Sequence, residues 1–255
     1  MKIALLYFSG TGNTKWLAET LSSFLVEKGG TVSVFNLEDD IEFQAKDYDT
    51  ILVAHPVYGA HVPRLVSDKI QILIQGNIPI TVIATFGYVN ALGYFAEKKA
   101  LGRRIDSYFN LKMFNNISTP KMKLGIKNIE KRLSSKAKIE KKIEKISILI
   151  IQKKRKIQGI GPQLLVGIRI RKAFREELQK HYQTWGVDPE HCTLCGLCVR
   201  ECPTHSIIEK DAVFTFHATC TACMRCYNHC PEQAITINNV YADPNIYTRY
   251  HGPWK

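Results

Sequence analysis

Short runs of apolar residues alternate with helix-like periodicity through the first 114 residues of the chain. The run KIALLYF at 2–8 is continuously apolar, which is typical of a strand buried on both faces of a parallel sheet. Leu17, Leu21 and Leu25 then recur at helical spacing up to the glycine pair at 29–30, where a helix would end. Alternating strands and helices predict an α/β fold with a doubly wound, five-stranded parallel sheet. Further strands are predicted at 31–37, 50–56, 78–86 and around 106–114, and further helices near 63–75 and 91–101.

The middle of the chain has a helical pattern and many lysines. Between 126 and 157, isoleucine, leucine and alanine recur every three or four residues, and lysines fill the other faces. This pattern predicts an amphipathic basic helix with a break near 134–136, part of which forms the last helix of the first domain. Residues 158–163 are predicted to form a loop, and 164–185 a second helical connector.

Eight cysteines stand near the C-terminus in two runs that share one pattern. CTLCGLCVRECP begins at 192 and CTACMRCYNHCP at 220, and both read C-x2-C-x2-C-x3-C-P. This is the run of bacterial ferredoxins, in which the fourth cysteine of each run ligates the other of two [4Fe–4S] clusters. The predicted ligands are therefore Cys192, Cys195, Cys198 and Cys230 for one cluster, and Cys220, Cys223, Cys226 and Cys202 for the other.

Two zinc sites with four cysteine ligands each are the alternative, because tetrahedral zinc also uses C-x2-C pairs. Zinc does not explain a third cysteine at the same spacing, a proline after the fourth, or the duplication of the whole pattern. The radical-SAM pattern C-x3-C-x2-C is absent from the sequence. Short strands within 204–216 and 233–240 would complete a small α+β domain of bacterial ferredoxin type, and no cysteine remains as a catalytic nucleophile.

The formal net charge of +12 comes from residues 115–185, which hold 19 Lys+Arg and 5 Asp+Glu. Such a surface attracts nucleic acid, anionic membranes or acidic proteins, or it is only a solvated helix face. No nucleic-acid-reading module accompanies the charge, and no apolar run reaches the roughly 18 residues of a membrane span. We expect no nucleic acid and no transmembrane segment; the partner favoured is an acidic, low-potential ferredoxin-like electron donor.

The segment SGTGNT at 9–14 stands between the first strand and the first helix. The N–H groups of a helix N-terminus bind phosphate, glycines permit close approach of the backbone, and hydroxyl and amide side chains add donors. The Walker pattern needs glycine before lysine, and the dinucleotide pattern needs a third glycine in place of Lys15. A Gly-rich turn without a ligand is the alternative to a phosphate site of another class, formed by Ser9, Gly10, Thr11, Gly12, Asn13 and Thr14.

This turn resembles the phosphate loop of flavodoxins, which bind the terminal phosphate of FMN through hydroxyls and backbone amides. Gly10 departs from the commonest flavodoxin pattern, which has a hydroxyl residue at that position. Ordinary packing is the alternative for each aromatic residue in the neighbouring loops, and we interpret His55 and His61 as hydrogen-bonded structural histidines. The resemblance implies that the loops after the third and fourth strands hold the flavin ring, through Pro56, Val57, Tyr58, Gly59, Thr85, Phe86, Gly87 and Tyr88.

Over nearly its full length the chain resembles the EFR-type flavodoxin–ferredoxin fusion proteins of anaerobic bacteria and archaea. The resemblance implies electron transfer between FMN and two [4Fe–4S] clusters. The N-terminus begins a strand directly and shows no signal-peptide pattern, so we expect a cytoplasmic protein. The predicted domains are a flavodoxin-like FMN domain at 1–155, a basic helical connector at 156–185, a ferredoxin domain at 186–242 and a tail at 243–255.

Two classes of function fit these expectations. In the first, the protein is an oxidoreductase whose flavin reacts with a substrate. In the second, it is an electron carrier or adaptor without a small-molecule substrate. A third interpretation keeps the clusters but leaves the flavodoxin-like domain without flavin. The sequence contains no second nucleotide fingerprint, so electrons are expected to enter from a protein donor.

Overall fold

A five-stranded parallel sheet forms the centre of the N-terminal part, in a computed structural model that describes residues 1–76, 78–88, 90, 93–122, 124–161 and 163–254. Its strands are β1 Lys2–Tyr7, β2 Thr31–Asn36, β3 Thr50–Pro56, β4 Ile80–Phe86 and β5 Ile105–Lys112. Their order across the sheet is β2-β1-β3-β4-β5, which is the flavodoxin-like form of the doubly wound fold. The predicted fold of this part is confirmed.

Helices cover both faces of the sheet, which explains the continuous apolar run of β1. Ile3 and Leu5 belong to one buried core, whereas Ala4 and Leu6 belong to another on the opposite face. Successive side chains of a strand point to opposite faces, so the middle of β1, which is covered on both sides, is apolar throughout. The helices of this part are α1 Asn13–Glu27, α2 Arg64–Leu73, α3 Gly93–Leu101, α4 Ile129–Leu133 and α5 Lys136–Ile151.

The break predicted near 134–136 separates α4 from α5. Ser134 directly follows α4, and Ser135 directly precedes α5. Helix α5 packs on α1. Two predicted boundaries differ: α2 begins at Arg64, directly after Pro63 rather than at it, and α5 ends at Ile151 instead of near 157. The predicted helix at 91–101 is described from Gly93 onward; its first two residues, 91 and 92, lie outside the described residues.

The chain leaves α5 early because the next segment pairs with the edge of the sheet. Tyr108 N–H donates to the Lys156 carbonyl at 2.9 Å, and Gln158 N–H donates to the Tyr108 carbonyl at 2.9 Å. Lys153 adopts a positive φ of 52° just after the helix. Residues 152–156 are polar or basic, and hydrogen bonds to the strand take the place of another helical turn.

The C-terminal part is a small α+β unit reached through a long helix, α6 Gln163–Lys180. Trp185 was predicted to end the connector, but it begins the strand β6. None of the described helices is long and apolar enough to cross a membrane. The remaining elements are the strands β6 Trp185–Val187, β7 Ile207–Lys210, β8 Val213–Phe216 and β9 Ile235–Ile237, which form the antiparallel pairs β6/β9 and β7/β8, and the helices α7 Leu197–Arg200 and α8 Arg225–His229.

The last residues of the chain return to the N-terminal part. Tyr250 is fully buried in the core beside α1 and α5. Trp254 packs edge-on against Trp16 of α1, with ring centroids 4.8 Å apart. Arg132 donates to the carbonyl of Gly252 at 2.6 Å. The segment predicted only as a tail therefore ties the C-terminal part to the sheet and its helices.

Candidate functional site

A cavity of about 470 Å³ opens at the carboxyl ends of the sheet strands, where doubly wound folds bind ligands. Its volume lies within the range of small-molecule and cofactor pockets. The turn after β1 and the loops after β3 and β4 line it. All fourteen residues predicted to hold FMN line this cavity except Gly12: Ser9, Gly10, Thr11, Asn13, Thr14, Pro56, Val57, Tyr58, Gly59, Thr85, Phe86, Gly87 and Tyr88.

The turn before α1 leaves donors available for an anion. Gly12 precedes the helix with a positive φ of 98°, and no side chain caps this end, so the first N–H groups of α1 lack intrahelical acceptors. Ser9 Oγ accepts a hydrogen bond from Gly12 N–H at 3.2 Å, and Thr11 Oγ1 accepts one from Asn116 at 2.9 Å. Both hydroxyls keep their own proton to donate. This donor set fits the phosphate of FMN.

Asn13 and Thr14 use their side chains to hold neighbouring segments. Asn13 Nδ2 donates to the Phe114 carbonyl at 2.8 Å, and its Oδ1 accepts from the Tyr250 hydroxyl. Thr14 Oγ1 lies 2.8 Å from Thr85 Oγ1, and both side chains are buried. Asn13 Nδ2 keeps a second N–H group, and both residues keep their backbone N–H groups for an anion, but these contacts hold both side chains in place, so the predicted side-chain contacts centre on Ser9 and Thr11.

Gly10 departs from the flavodoxin pattern because two other groups occupy the space of a side chain. A Cβ atom at Gly10 would lie 2.5 Å from the Tyr58 hydroxyl oxygen and 2.7 Å from the Cys223 carbonyl oxygen. Burial, followed by the nearby Cys223, raises the pKa of Tyr58 well above its usual range. The Tyr58 hydroxyl is thus packed beneath the turn, at its contact with the second cysteine run.

Besides residues of the C-terminal part such as Ala222, Met224 and Ile237, two walls of the cavity were not predicted. One is the segment after β5, which contributes Asn115, Asn116 and neighbouring residues. The other is α6, whose Ile170, Phe174 and Leu178 recur every four residues along the face that lines the cavity. The asparagine pair directly after a predicted strand could have indicated the first wall, since all five strands end at one edge of the sheet.

Helix α6 closes the cavity against the loop after β3. A Cβ atom at Gly59 would lie 2.8 Å from Leu178 Cδ1 and 3.3 Å from Phe174 Cβ. At the rim, Lys121 Nζ pairs with Glu177 at 2.8 Å. The apolar face of the predicted connector is therefore part of the site, and its charged residues lie at the rim and outside.

The predicted cysteine ligands come together as two sets of four. We name Cys192, Cys195, Cys198 and Cys230 the first cysteine set, and Cys220, Cys223, Cys226 and Cys202 the second cysteine set. Each set lines its own small cavity, so each run contributes its last cysteine to the cavity of the other run. Among the described residues, no group of three or more His, Cys, Asp or Glu side chains is placed to hold a single metal ion.

The two runs share one backbone conformation. Leu194 and Gly196 have positive φ in the first run, and Ala222 and Met224 have it at the same places in the second. Each fourth cysteine also accepts an N–H bond from the residue four positions later, at 3.2 Å for Cys202 and 3.3 Å for Cys230. The repeat in the sequence is therefore a repeat in structure, and the left-handed residues turn each run around its cavity.

Burial raises the pKa of cysteines in both sets. Burial and then the neighbouring Cys230 raise the pKa of Cys198 to about 11, and burial raises that of Cys223 to about 12. Four thiolates facing one cavity need a positive counter-charge, and the iron of an iron–sulfur cluster supplies it. The residues of both sets fit [4Fe–4S] clusters in number, chemistry and placement.

Both predicted structural histidines are hydrogen-bonded. His55 Nε2 lies 2.5 Å from Glu97 Oε1, with both side chains fully buried, and His55 Nδ1 donates to the Pro56 carbonyl at 2.9 Å. Burial lowers the pKa of His55, but the charge and hydrogen bond of Glu97 outweigh it, and the pKa is raised. His61 Nδ1 bonds to the Gly59 carbonyl at 2.8 Å. No local pattern indicated Glu97 as a partner, since it lies 42 residues away.

Comparisons with known proteins give one family match and one curated relative. Residues 185–208 match the model of the 4Fe-4S binding domain family. Diflavin flavoprotein A 4 of Synechocystis sp. is 28% identical over 91 residues, which are 34% of this chain. The chain spans about 15% of the length of that relative.

Several solved flavodoxins align with part of the chain. The flavodoxin of Streptococcus pneumonia TIGR4 is 17% identical, with a TM-score of 0.40, and covers 60% of this chain and 99% of its own. A flavodoxin from the domain Archaea is 16% identical, with a TM-score of 0.41, over 60% of this chain and 98% of its own. Flavodoxin 1 of Bacillus cereus is 13% identical, with a TM-score of 0.41, over the same shares. The sheet order is thus the evidence for a flavodoxin-like fold, and the cysteine runs and the family match are the evidence for an iron–sulfur domain.

Proposed function

We propose that the chain is an electron-transfer iron–sulfur flavoprotein of the EFR-type flavodoxin–ferredoxin fusion family, with FMN in the large cavity and a [4Fe–4S] cluster at each cysteine set. One observation carries the proposal. The cavity at the strand ends, with its open helix N-terminus, directly adjoins the second cysteine run, since Ala222 and Met224 line it. FMN takes up one or two electrons and each cluster takes up one, so the two kinds of group together can convert paired into single electrons.

Different residues of the chain would bind the phosphate and the ring of FMN. The hydroxyls of Ser9 and Thr11 and the first N–H groups of α1 would hold the phosphate. The loops at 56–59 and 85–88 would hold the ring. Phe174 and Leu178 of α6 would cover it and exclude water, because they are apolar and lie directly over the loop after β3.

The proposed partner is an acidic, low-potential electron-transfer protein of ferredoxin type. Arg169, Lys172 and Arg175 are exposed on α6, whose opposite face lines the cavity. Opposite charge steers a partner toward such a surface and raises its association rate. Because Phe174 and Leu178 of α6 pack over the loop after β3, we favour an electron carrier, and the alternative remains a redox enzyme with a small-molecule substrate at the rim beside Lys121 and Glu177.

The test is the cofactor content of anaerobically purified protein. We expect about one FMN, eight iron and eight sulfide per chain, as two four-iron clusters and one flavin require. The visible spectrum should show flavin bands on a broad iron–sulfur background. Release of FAD instead of FMN, or zinc without sulfide, would contradict the proposal, and iron–sulfur clusters without flavin would support the third interpretation.

A further inference from the structure

Arg225 stands between Cys223 and Cys226 of the second run, and its guanidinium reaches the turn after β1. Its Nε donates to the Gly10 carbonyl at 2.9 Å, and its Nη2 donates to the Ser9 carbonyl at 2.8 Å. These residues are more than 210 positions apart in the chain. The side chain therefore joins the predicted cluster site to the predicted phosphate site without any intermediate residue.

The same guanidinium makes a two-pronged ion pair. Its nitrogens lie 2.6 and 2.7 Å from the two carboxylate oxygens of Glu38, just after β2. Nη1 also donates to the Glu201 carbonyl at 2.9 Å. The side chains of Arg225 and Glu38 are only 12% and 16% exposed. A bidentate pair in a shielded place is much stronger and more directional than a surface ion pair.

We propose that Arg225 is the positioning residue of a junction that fixes the second cysteine set against the phosphate turn. The missing side chain at Gly10 is the other half of the junction, since it allows the Cys223 carbonyl to approach the turn. The inference depends on the proposed function only for the identity of the groups bound at the second cysteine set and at the phosphate turn.

The junction makes the two cysteine sets unequal. The second set adjoins the cavity, whereas the first set lies toward solvent: Cys195 is exposed, and Leu194 beside it is 55% exposed. Arg200 donates to the Cys195 carbonyl at 2.8 Å within the first run. The second set is thus the inner member, which serves the cavity, and the first set is the outer member, which faces a partner.

Arg200 supplies a matched control for Arg225. We would prepare the full chain anaerobically as the parent, Arg225→Gln, Arg225→Lys and Arg200→Gln. The measurements are iron content, FMN affinity and hydrogen exchange of peptides covering 7–16 and 36–40. In Arg225→Gln we expect parent iron content, several-fold faster exchange in both peptides, and an FMN dissociation constant raised about tenfold. In Arg225→Lys, the exchange rates and the FMN dissociation constant should lie between those of the parent and of Arg225→Gln, because lysine keeps the positive charge but cannot form the bidentate pair. Arg200→Gln should match the parent.

Two variants on the other side of the junction cover the case in which Arg225→Gln fails to assemble its clusters. Glu38→Gln removes the carboxylate, and Gly10→Ser places a Cβ atom against the Cys223 carbonyl. Both should speed exchange at 7–16 without altering a cysteine run. Exchange and FMN affinity in these variants equal to the Arg200→Gln control would overturn the inference. A parent without FMN would instead contradict the proposed function, and the exchange measurements would still decide on the junction.

Discussion

Ser9 and Thr11 are the hydroxyl side chains of the phosphate turn that accept a hydrogen bond and keep their own proton to donate. We expect Ser9→Ala and Thr11→Ala each to weaken FMN binding by about 1–3 kcal/mol, because each removes a hydrogen bond to a charged phosphate. Equilibrium titration of the flavin-free protein with FMN measures the effect. Ser23→Ala is the control, since that hydroxyl bonds to the Glu19 carbonyl of α1. Unchanged affinity in the double variant would mean that the phosphate binds elsewhere.

The buried His55–Glu97 pair predicts a pH dependence of stability. Folding raises the pKa of His55 above its ordinary value of about 6.5, so the protonated form is stabilised by the fold. This contribution is fully present below about pH 6.5 and is lost as the pH rises through the folded-state pKa. Urea unfolding from pH 5.5 to 9 should therefore show stability falling in the alkaline half of the range.

Glu97→Ala should remove this pH dependence and lower the free energy of unfolding by about 3–5 kcal/mol, since it leaves a buried group without its partner. His61→Gln is the contrast. Burial lowers the pKa of His61, so its contribution is lost as the pH falls and should have the opposite sign. A parent and a Glu97→Ala protein with parallel pH profiles would show that His55 is neutral in the fold.

At the scale of elements, the sequence predicted the features that depend on residues within one segment. The apolar run of β1, the helical spacing of α1 and the break at 134–136 are all present, because each depends on burial or propensity within one segment. The first three cysteines of each run come together within one short segment, so their grouping was also predictable from local spacing.

The features missed depend on contacts between distant segments. Gly10 is explained only by Cys223, and Tyr250 is buried only because the tail returns to α1. Phe174 and Leu178 are apolar positions of a helix whose burying partner, the loop at Gly59, lies more than a hundred residues earlier. The sequence marks such positions as apolar or small, but it does not say against what they pack.

Helix α6 is the element on which the docking proposal can be tested. Reversal of charge in Arg169→Glu, Lys172→Glu and Arg175→Glu together should slow association with an acidic ferredoxin, with cofactor content unchanged. For the parent, association should slow as ionic strength rises past about 0.1 M, where the Debye length is about 10 Å. Stopped-flow kinetics at several salt concentrations measures both effects.

The matched control reverses three exposed lysines of α5, Lys138, Lys141 and Lys145. They carry the same charge within the same basic segment, but α5 packs on α1 and does not line the cavity. Equal slowing by both triple variants would indicate a general effect of net charge. If the α6 variant shows no slowing, the positive charge of α6 only makes a solvated helix face and does not attract the partner.

At the scale of the whole molecule, residues in the last third of the chain make contacts with the segment after β5 and, through it, with the phosphate turn. Tyr227 donates its hydroxyl hydrogen to the Ser118 carbonyl at 2.8 Å, and Asn228 Nδ2 donates to the Asn116 carbonyl at 3.1 Å. Asn116 in turn bonds to Thr11 of the phosphate turn. Joining two redox sites in one chain holds them at high effective concentration, and these contacts also fix their relative placement.

The last prediction follows from the exchange of the fourth cysteines between the two runs. A substitution of the fourth cysteine in one run should damage the site that is formed mainly by the other run. Cys230→Ala should damage the first cysteine set and spare the second, and Cys202→Ala should do the reverse. Each variant should lose about half of its iron. Cys230→Ala should bind FMN with the parent affinity, whereas Cys202→Ala should bind it more weakly, because the second cysteine set contacts the phosphate turn through Arg225 and Cys223, so both variants are measured at saturating FMN. Anaerobic stopped-flow with a low-potential protein donor should then show slow flavin reduction in both variants, because one loses the outer set and the other the set beside the cavity. Flavin reduction at the parent rate after loss of the second set would mean that electrons reach the cavity without it, and damage confined to the run that carries the substitution would mean that the two runs do not exchange ligands.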